Sequence, residues 1–217
     1  GWTWDWRVQA AWVRRHRAKS ALHRQRTAHL PFGSMITGPY IILTGIPGSG
    51  KSSLGRQLAP MLDLEVIDKD ELLEAFFPGP GPIAADERTR LSRRADGDLR
   101  KRAQYLGRGI LVSFWRRPEL STTSGSPTEW LRELPGTIEV HCACSPQTAA
   151  QRFLSRHRHP GHGDNDKDPG EVLAQLQALA ELGPLGLEPL VEVSTETAPS
   201  ITPVLRSIEA AARRGST

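Results

Sequence analysis

The stretch 40–58 constrains the fold of this chain more than any other. An apolar run, Tyr40–Thr44, leads into the glycine-rich sequence Gly45–Ser52, and Leu54 and Leu58 then recur at helical spacing. The order of elements is therefore strand, loop, helix. Glycines let such a loop curl so that successive N–H groups point at an anion, and the positive end of the helix adds to the attraction. The stretch is predicted to bind phosphate groups.

The residues at the end of this loop suit a nucleotide in particular. Lys51 is predicted to reach the β- and γ-phosphates, and the Ser52 hydroxyl is predicted to ligate Mg²⁺. The predicted nucleotide contacts of the loop are Gly45, Pro47, Gly48, Ser49, Gly50, Lys51, Ser52 and Ser53. The alternative is a chance glycine turn, which the flanking strand and helix disfavour.

Two carboxylates are expected beside this loop. The short apolar run 64–67 is closed by Asp68 and Asp70, and ligands in a doubly wound sheet sit at the carboxyl ends of the strands. One carboxylate, assigned here to Asp68, can lie near Mg²⁺ with Ser52, and the other can take a proton from an attacking hydroxyl. Which of the two is the base stays open. The alternative is that one of them only caps the helix predicted over 71–77.

A mobile lid is predicted further along the chain. After a strand at 137–144, Ser145 and Pro146 start a helix that places Arg152 and Arg156 on one face, and the sequence 158–164 then breaks regular structure. Arginines that close over a nucleotide stabilise the charge that develops during phosphoryl transfer. We predict that both arginines act in catalysis and that Arg152 also contacts the nucleotide, the alternative being a basic surface helix.

Other segments give weaker signals. The polar helix predicted over 84–106 is rich in arginine, and Arg93 and Arg94 are candidates for holding an anionic group of a substrate. Ser113 stands where many phosphate-loop proteins carry an aspartate, which argues against a motor or switch ATPase. Trp115 and Arg116 either face the acceptor or pack internally. The cluster of His and Asp residues at 157–168 fits no standard metal spacing.

Composition bounds the rest. The length of 217 residues suits one domain, and the net charge of +4 divides into +6 for residues 1–34 and −2 for the remainder. We predict that 1–34 is a disordered or non-native leader, left from cloning or translated from upstream of Met35, and that 35–217 is the folded domain. Tryptophan and arginine in the leader leave nucleic-acid binding as the less favoured alternative. Without a long apolar run the protein is expected to be cytoplasmic, free of membranes, and a monomer or homodimer, with Cys142 and Cys144 reduced in the core.

These motifs together resemble those of the small P-loop kinases grouped with gluconate kinase, shikimate kinase, chloramphenicol phosphotransferase and the zeta-toxin-like ATPases. The resemblance covers about 36–213 and rests on the phosphate loop, the Asp68–Asp70 pair, the lid arginines and a last strand that ends at Ser194 and Thr195. It implies an α/β P-loop NTPase fold, a three-layer sandwich whose five-stranded parallel sheet is flanked by helices. It also implies ATP with Mg²⁺ as donor, a small-molecule hydroxyl as acceptor, and Thr195 near the adenine.

The expected activity is transfer of the γ-phosphate of Mg·ATP to a hydroxyl of a small molecule. A nucleoside-monophosphate kinase is the alternative that the arginine-rich helix supports, and a nucleic-acid-binding ATPase is the alternative that the leader supports. The acceptor segment 76–125 matches no member closely enough to name a substrate, and preference for ATP over GTP is not determined by the sequence.

Overall fold

A five-stranded parallel sheet forms the centre of the computed structural model, which describes residues 39–121, 123–164 and 167–214. The predicted leader, 1–34, lies outside the described residues. The sheet has the order β2-β3-β1-β4-β5, and all four neighbouring pairs are parallel. The strands are β1 Tyr40–Thr44, β2 Val66–Asp68, β3 Gly109–Val112, β4 Ile138–Ala143 and β5 Leu190–Ser194. The predicted sheet is confirmed.

Strand β1 lies in the middle of the sheet between β3 and β4. All five of its residues are buried, which is why its sequence is a continuous apolar run rather than an alternating one. The chain leaves β1 toward one side of the sheet and crosses to the other side before β4. The end of β1 is therefore a topological switch point, where a crevice opens beyond the strands.

Helices cover both faces of the sheet. They are α1 Lys51–Leu62, α2 Lys69–Glu74, α3 Ala85–Leu106, α4 Pro146–Ser155, α5 Pro169–Glu181 and α6 Ile201–Arg214. On one face, Leu54 and Leu58 of α1 and Ile208 of α6 pack on the strands. On the other face, Leu99 and Ala103 of α3 pack on the alternate strand residues. The predicted three-layer arrangement is confirmed.

Helices α4 and α5 pack against each other beside the end of β1. Ala149 and Phe153 of α4 meet Val172 and Leu176 of α5, and Ile46 of the phosphate loop joins the same cluster. The chain that links the two helices carries the predicted lid. Since both helices are packed on the loop, the lid starts and ends beside it.

Two local predictions differ from the structure. Helix α4 ends at Ser155, and Arg156 has an extended backbone, so Arg152 and Arg156 do not share a helical face. The segment after it, predicted to lack regular structure, contains a short 3₁₀ turn at Pro160–His162. A second 3₁₀ turn lies at Glu129–Glu133. None of the described helices is long and apolar enough to cross a membrane.

Candidate active site

The phosphate loop needs its glycines for conformation and for space. Gly45, Gly48 and Gly50 all have positive φ, at 126°, 85° and 89°. A Cβ atom on Gly48 would lie 2.2 Å from the carbonyl oxygen of Ala149 in α4, whereas one on Gly50 would meet nothing within 4 Å. The loop is thus pressed against α4 at Gly48 and open at Gly50, where α1 begins.

Lys51 is the first residue of α1 and is buried. Its Nζ donates to the carbonyl oxygens of Gly45 at 2.8 Å and Ile46 at 3.0 Å, so the ammonium lies within the curl of the loop. Burial lowers the pKa of Lys51, and the negative charges of Asp70 and Asp68 act in the opposite direction. A cation held in this way is placed to meet an anion that enters the loop.

Ser52 and Asp68 form a hydrogen-bonded oxygen pair. The Ser52 hydroxyl donates to Oδ2 of Asp68 at 2.6 Å, and Oδ1 accepts the backbone N–H of Asp70 at 3.0 Å. Asp68 therefore caps α2, which is the role that the alternative interpretation of the sequence gave to one of the two aspartates. Its bond with Ser52 shows that it also faces the phosphate loop. Asp68 is only 4% exposed, and this burial raises its pKa, although the bond from Ser52 lowers it. A hydroxyl beside a carboxylate is a donor set that fits Mg²⁺, which prefers oxygen ligands and keeps several waters.

Asp70 is more accessible than Asp68. Its side chain is 51% exposed and pairs with the guanidinium of Arg158, which comes from the lid. Both aspartates line one cleft of about 720 Å³ together with Lys51 and Ser52. The structure thus brings the predicted carboxylates and the predicted phosphate loop together. The two carboxylates differ in exposure, since Asp68 is buried and Asp70 is accessible.

The lid contributes three cations that meet at one carboxylate. Asp164 accepts from Arg158 at 2.7 Å, from Lys167 at 2.8 Å and from Arg156 at 3.3 Å. Burial alone would raise the pKa of Asp164, but the hydrogen bonds and charges of Lys167 and Arg158 hold it below the ordinary value. All four side chains line the cleft.

The tip of the lid is docked on the far wall of the cleft. Nε2 of His162 lies 2.8 Å from Oε1 of Glu74 at the end of α2, and since a carboxylate only accepts, the ring nitrogen donates. Phe77 contacts the rings of His159 and His162. Gly161 fits against Phe77 and Ile83 so closely that a Cβ atom there would lie 2.7 Å from Ile83. The predicted lid segment is therefore packed against α2 and the chain that follows it.

Arg152 and Thr195 lie elsewhere. Arg152 donates to the backbone carbonyls of Thr195 and Glu196, each at 2.8 Å, and Thr195 is buried with its hydroxyl on the carbonyl of Ala143. Neither residue is among those that line the cleft. Their predicted contacts with the nucleotide stay predictions.

The contacts of several residues bear on the alternatives left open. Trp115 is buried and its Nε1 donates to the carbonyl of Leu43 at 2.8 Å, and its ring also lines a cavity of about 180 Å³ beside the phosphate loop. Arg116 donates to the carbonyl of Gly125, and Arg94 stacks over the ring of Phe76 at 4.0 Å. Cys142 is a core thiol whose pKa burial raises to about 12, while Cys144 is only half-buried. In the part of the chain that the structure describes, no three His, Cys, Asp or Glu side chains gather as metal ligands.

Sequence reasoning did not single out five charged residues of the cleft. Arg158, Asp164 and Lys167 belong to the lid, Arg117 follows β3, and Arg88 lies in α3. Arg158 could have been found from its place beside Arg156 in the segment without regular structure. The sequence analysis placed Arg156 on the preceding helix instead. No local pattern marks Asp164, because its role depends on cations that the fold brings to it.

Comparison with known proteins agrees with this fold. A family model described as an AAA domain matches residues 41–172. The chain belongs to this AAA domain family. Its solved neighbours include a provisionally named kinase from Chloroflexus aurantiacus, which is 25% identical, covers 84% of this chain and 100% of its own, and superposes with a TM-score of 0.61.

Two curated relatives are shikimate kinases. That of Corynebacterium glutamicum is 53% identical over 36 residues, which are 17% of this chain and 21% of the relative. That of Mycobacterium avium is 28% identical over 160 residues, with 64% of this chain and 91% of the relative aligned. The chain thus matches only about a fifth of the length of the first of these relatives. The predicted kinship with small P-loop kinases is confirmed.

Proposed function

We propose that this protein transfers the γ-phosphate of Mg·ATP to a hydroxyl group of a small molecule. The observation that carries the proposal is that Asp70, an accessible carboxylate, lines the same cleft as Lys51 and the Ser52–Asp68 pair. A phosphate loop alone would support nucleotide binding. A second carboxylate, free of the capping role, adds a group that can accept a proton.

The donor end of the site is built by the loop. Its backbone N–H groups and the N-terminus of α1 bind the phosphates, and Lys51 exchanges its contacts with loop carbonyls for contacts with the β- and γ-phosphates. Ser52 and Asp68 would hold Mg²⁺, which supplies charge neutralisation at the β- and γ-phosphate oxygens. Burial raises the pKa of Asp68, and a cation at this position would act in the opposite direction and favour the ionised form.

Asp70 is the proposed base. An acceptor hydroxyl that donates to this carboxylate is oriented toward the γ-phosphorus, and as its oxygen bonds to phosphorus its proton passes to Asp70. The bond between the γ-phosphorus and the β–γ bridging oxygen breaks, and ADP leaves with the electron pair. The proposal favours Asp70 over Asp68 as the base, because both oxygens of Asp68 already accept hydrogen bonds.

Arg156, Arg158 and Lys167 of the lid stabilise the transferring group. Charge spreads over its equatorial oxygens in the transition state, and cations in a cleft closed to water stabilise that charge more than they stabilise bound ATP. The docked tip of the lid keeps water from competing with the acceptor.

Turnover by the full chain tests the proposal. ADP formation is followed with Mg·ATP and a panel of sugar acids, hydroxylated antibiotics and nucleoside monophosphates, with Lys51→Ala and Asp70→Asn as test variants. Lys51→Ala should reduce kcat by about 10²–10³, as loss of a preorganised electrostatic contact does. Lys101→Ala and Asp86→Asn change the same residue types on the exposed surface of α3 and should behave as wild type.

Two outcomes would contradict the proposal. If Asp70→Asn and Asp68→Asn both keep near-normal kcat, the carboxylates only cap α2. If a nucleoside monophosphate is the acceptor that is turned over, the enzyme belongs to the alternative class. Of the arginines of α3, Arg90, Arg100 and Arg102 pair with glutamates, whereas Arg88 lines the cleft, so this class stays open to the turnover test.

A further inference from the structure

Arg117 stands at the boundary of two cavities. It lines the main cleft, and it also lines an adjoining cavity of about 180 Å³ beside the phosphate loop. The two cavities share Phe114, Arg117 and Leu179 as wall residues. Anything bound at Arg117 is therefore next to the site of phosphoryl transfer.

The guanidinium of Arg117 is held in place by the backbone. Nη1 donates to the carbonyl of Pro184 at 3.0 Å, and Nη2 donates to the carbonyl of Gly183. That loop is itself fixed, because the N–H groups of Leu185 and Leu187 donate to the fully buried carboxylate of Glu139 at 2.7 and 2.8 Å. The orientation of Arg117 is thus set before any ligand arrives.

The anchor of this loop also reaches the phosphate loop. Oε1 of Glu139 accepts the hydroxyl of Thr44 at 2.7 Å, and Thr44 is the last residue before Gly45. Glu139 therefore ties the base of the phosphate loop and the support of Arg117 to the same point on β4. The two binding positions are held at a fixed spacing.

The charge of Arg117 has no counter-ion of its own. Among residues 39–121, 123–164 and 167–214, no carboxylate forms an ion pair with it, and its two hydrogen-bond acceptors are neutral carbonyls. Burial lowers the pKa of Arg117, and only the more distant charges of Glu119 and Glu139 oppose this. A guanidinium has five donors, so three remain. A partly buried cation without an anion is costly for a purely structural residue.

The adjoining cavity suits an anion next to this cation. Its lining includes Trp115, His141 and Cys142 but, within the described part of the chain, no acidic side chain. Burial lowers the pKa of His141, so the ring is neutral at neutral pH. A cavity of about 150 Å³ is enough for a six-membered ring, so this one can take a small acid or its carbon frame.

We propose that Arg117 binds a carboxylate or phosphate group of the acceptor whose hydroxyl is presented to Asp70. The acceptor class is then a hydroxylated acid or a phosphorylated alcohol, and Arg117 is the residue that selects it. This inference rests on the proposed function, since it names the substrate class of the same site.

A direct measurement does not require the true acceptor. In the full chain with Mg²⁺ and a non-hydrolysable ATP analogue bound, the ¹⁵N–H signal of the Arg117 guanidinium, assigned from its loss in Arg117→Gln, is followed during titration with inorganic phosphate and with acetate. We expect a saturable shift with at least one anion. Absence of a saturable shift with both anions overturns the proposal.

Turnover gives the second measurement. Each acid is paired with an uncharged counterpart, as gluconate with glucitol, shikimate with its methyl ester, and 3-phosphoglycerate with glycerol. We expect the acidic member of at least one pair to be turned over in preference to its neutral counterpart. Arg117→Gln should raise the KM for that acid about tenfold or more, while kcat changes less than about twofold. Arg117→Lys, which keeps the charge but not the planar fork, should fall between.

Arg132→Gln is the matched control. Arg132 is exposed and donates to the carbonyl of Gly186 in the same supporting loop, but it lines neither cavity. It should leave the KM for the acid unchanged. Equal turnover of acid and neutral members, or a loss of ATP affinity in Arg117→Gln, overturns the proposal.

The two levels of proposal fail separately. If Lys51→Ala and Asp70→Asn keep full activity, the proposed phosphoryl transfer is wrong. If those variants lose activity while Arg117→Gln keeps its KM, only the role of Arg117 is wrong. If no panel member is turned over, the anion titration decides alone.

Discussion

Replacing Gly48 with alanine tests the contact between the phosphate loop and α4. The backbone φ of 85° costs a residue with a Cβ about 1–2 kcal/mol. The added atom would also lie 2.2 Å from the carbonyl oxygen of Ala149, and overpacking of this kind costs about 1–3 kcal/mol more. The free energy of unfolding should therefore fall by about 2–5 kcal/mol, and the loop should move away from α4 and bind ATP more weakly.

Two other glycines separate the conformational cost of a positive φ from the steric cost of the contact with α4. Gly50 and Gly107 have φ of 89° and 68°, and a Cβ on either would meet nothing within 4 Å. Gly50→Ala and Gly107→Ala should therefore lose only the conformational part, about 1–2 kcal/mol. Urea denaturation without nucleotide gives the unfolding free energies, and titration gives the ATP Kd, which Gly107→Ala should leave unchanged. If Gly48→Ala is no less stable than Gly50→Ala, the close contact with α4 does not limit this position.

Three further predictions concern the lid and the metal position. Arg156→Ala should lower kcat more than it raises the ATP Kd, because its proposed contact with the transferring phosphoryl group is stronger in the transition state. Arg152→Ala, which frees the carbonyls of Thr195 and Glu196, should raise the ATP Kd instead. Equal effects on kcat and Kd in both variants would contradict this. Because burial raises the pKa of Asp68, the affinity for Mg²⁺ should weaken on acidification at a higher pH than for an ordinary carboxyl. Without Mg²⁺, the free energy of unfolding should fall as pH rises through that raised pKa. Asp68→Asn should remove both effects. Because burial lowers the pKa of His162, the docked lid should lose stability as pH falls from the ordinary histidine pKa of about 6.5 toward the lowered one. The protection of residues 155–164 from hydrogen exchange, relative to the intrinsic exchange rates, should then decrease. A protection that does not change with pH would refute this.

The sheet and the phosphate loop were predictable because their signals are local. An apolar run, glycines at fixed spacing and a helical pattern over Lys51–Leu62 each depend on neighbouring residues alone. The layers follow, since parallel strands buried on both sides require helices on both faces. The end of α4 was less predictable, because nothing in the sequence near Arg156 forbids one more helical turn, and its extended backbone accompanies the ion pair with Asp164.

The lid and the anion position were only partly predictable for a different reason. Asp164 pairs with residues before and after it in the chain, but Arg158 also pairs with Asp70, which lies 88 positions earlier. The role proposed for Arg117 depends on the loop at 183–187, which supports its guanidinium, and on the absence of a described carboxylate that pairs with it. Such properties arise from tertiary contacts, and a pattern along the sequence does not encode them.

The shared carboxylate of Asp164 means that the lid carries its own counter-ion. Under the proposed function, a phosphate that binds Arg156, Arg158 and Lys167 would compete with Asp164 for them, so donor binding would be an exchange of ionic partners and would depend less on ionic strength than binding to bare cations. The same exchange would draw Arg158 away from Asp70. Arrival of the donor would then uncover the proposed base, and the acceptor hydroxyl would meet a free carboxylate only after the nucleotide is in place.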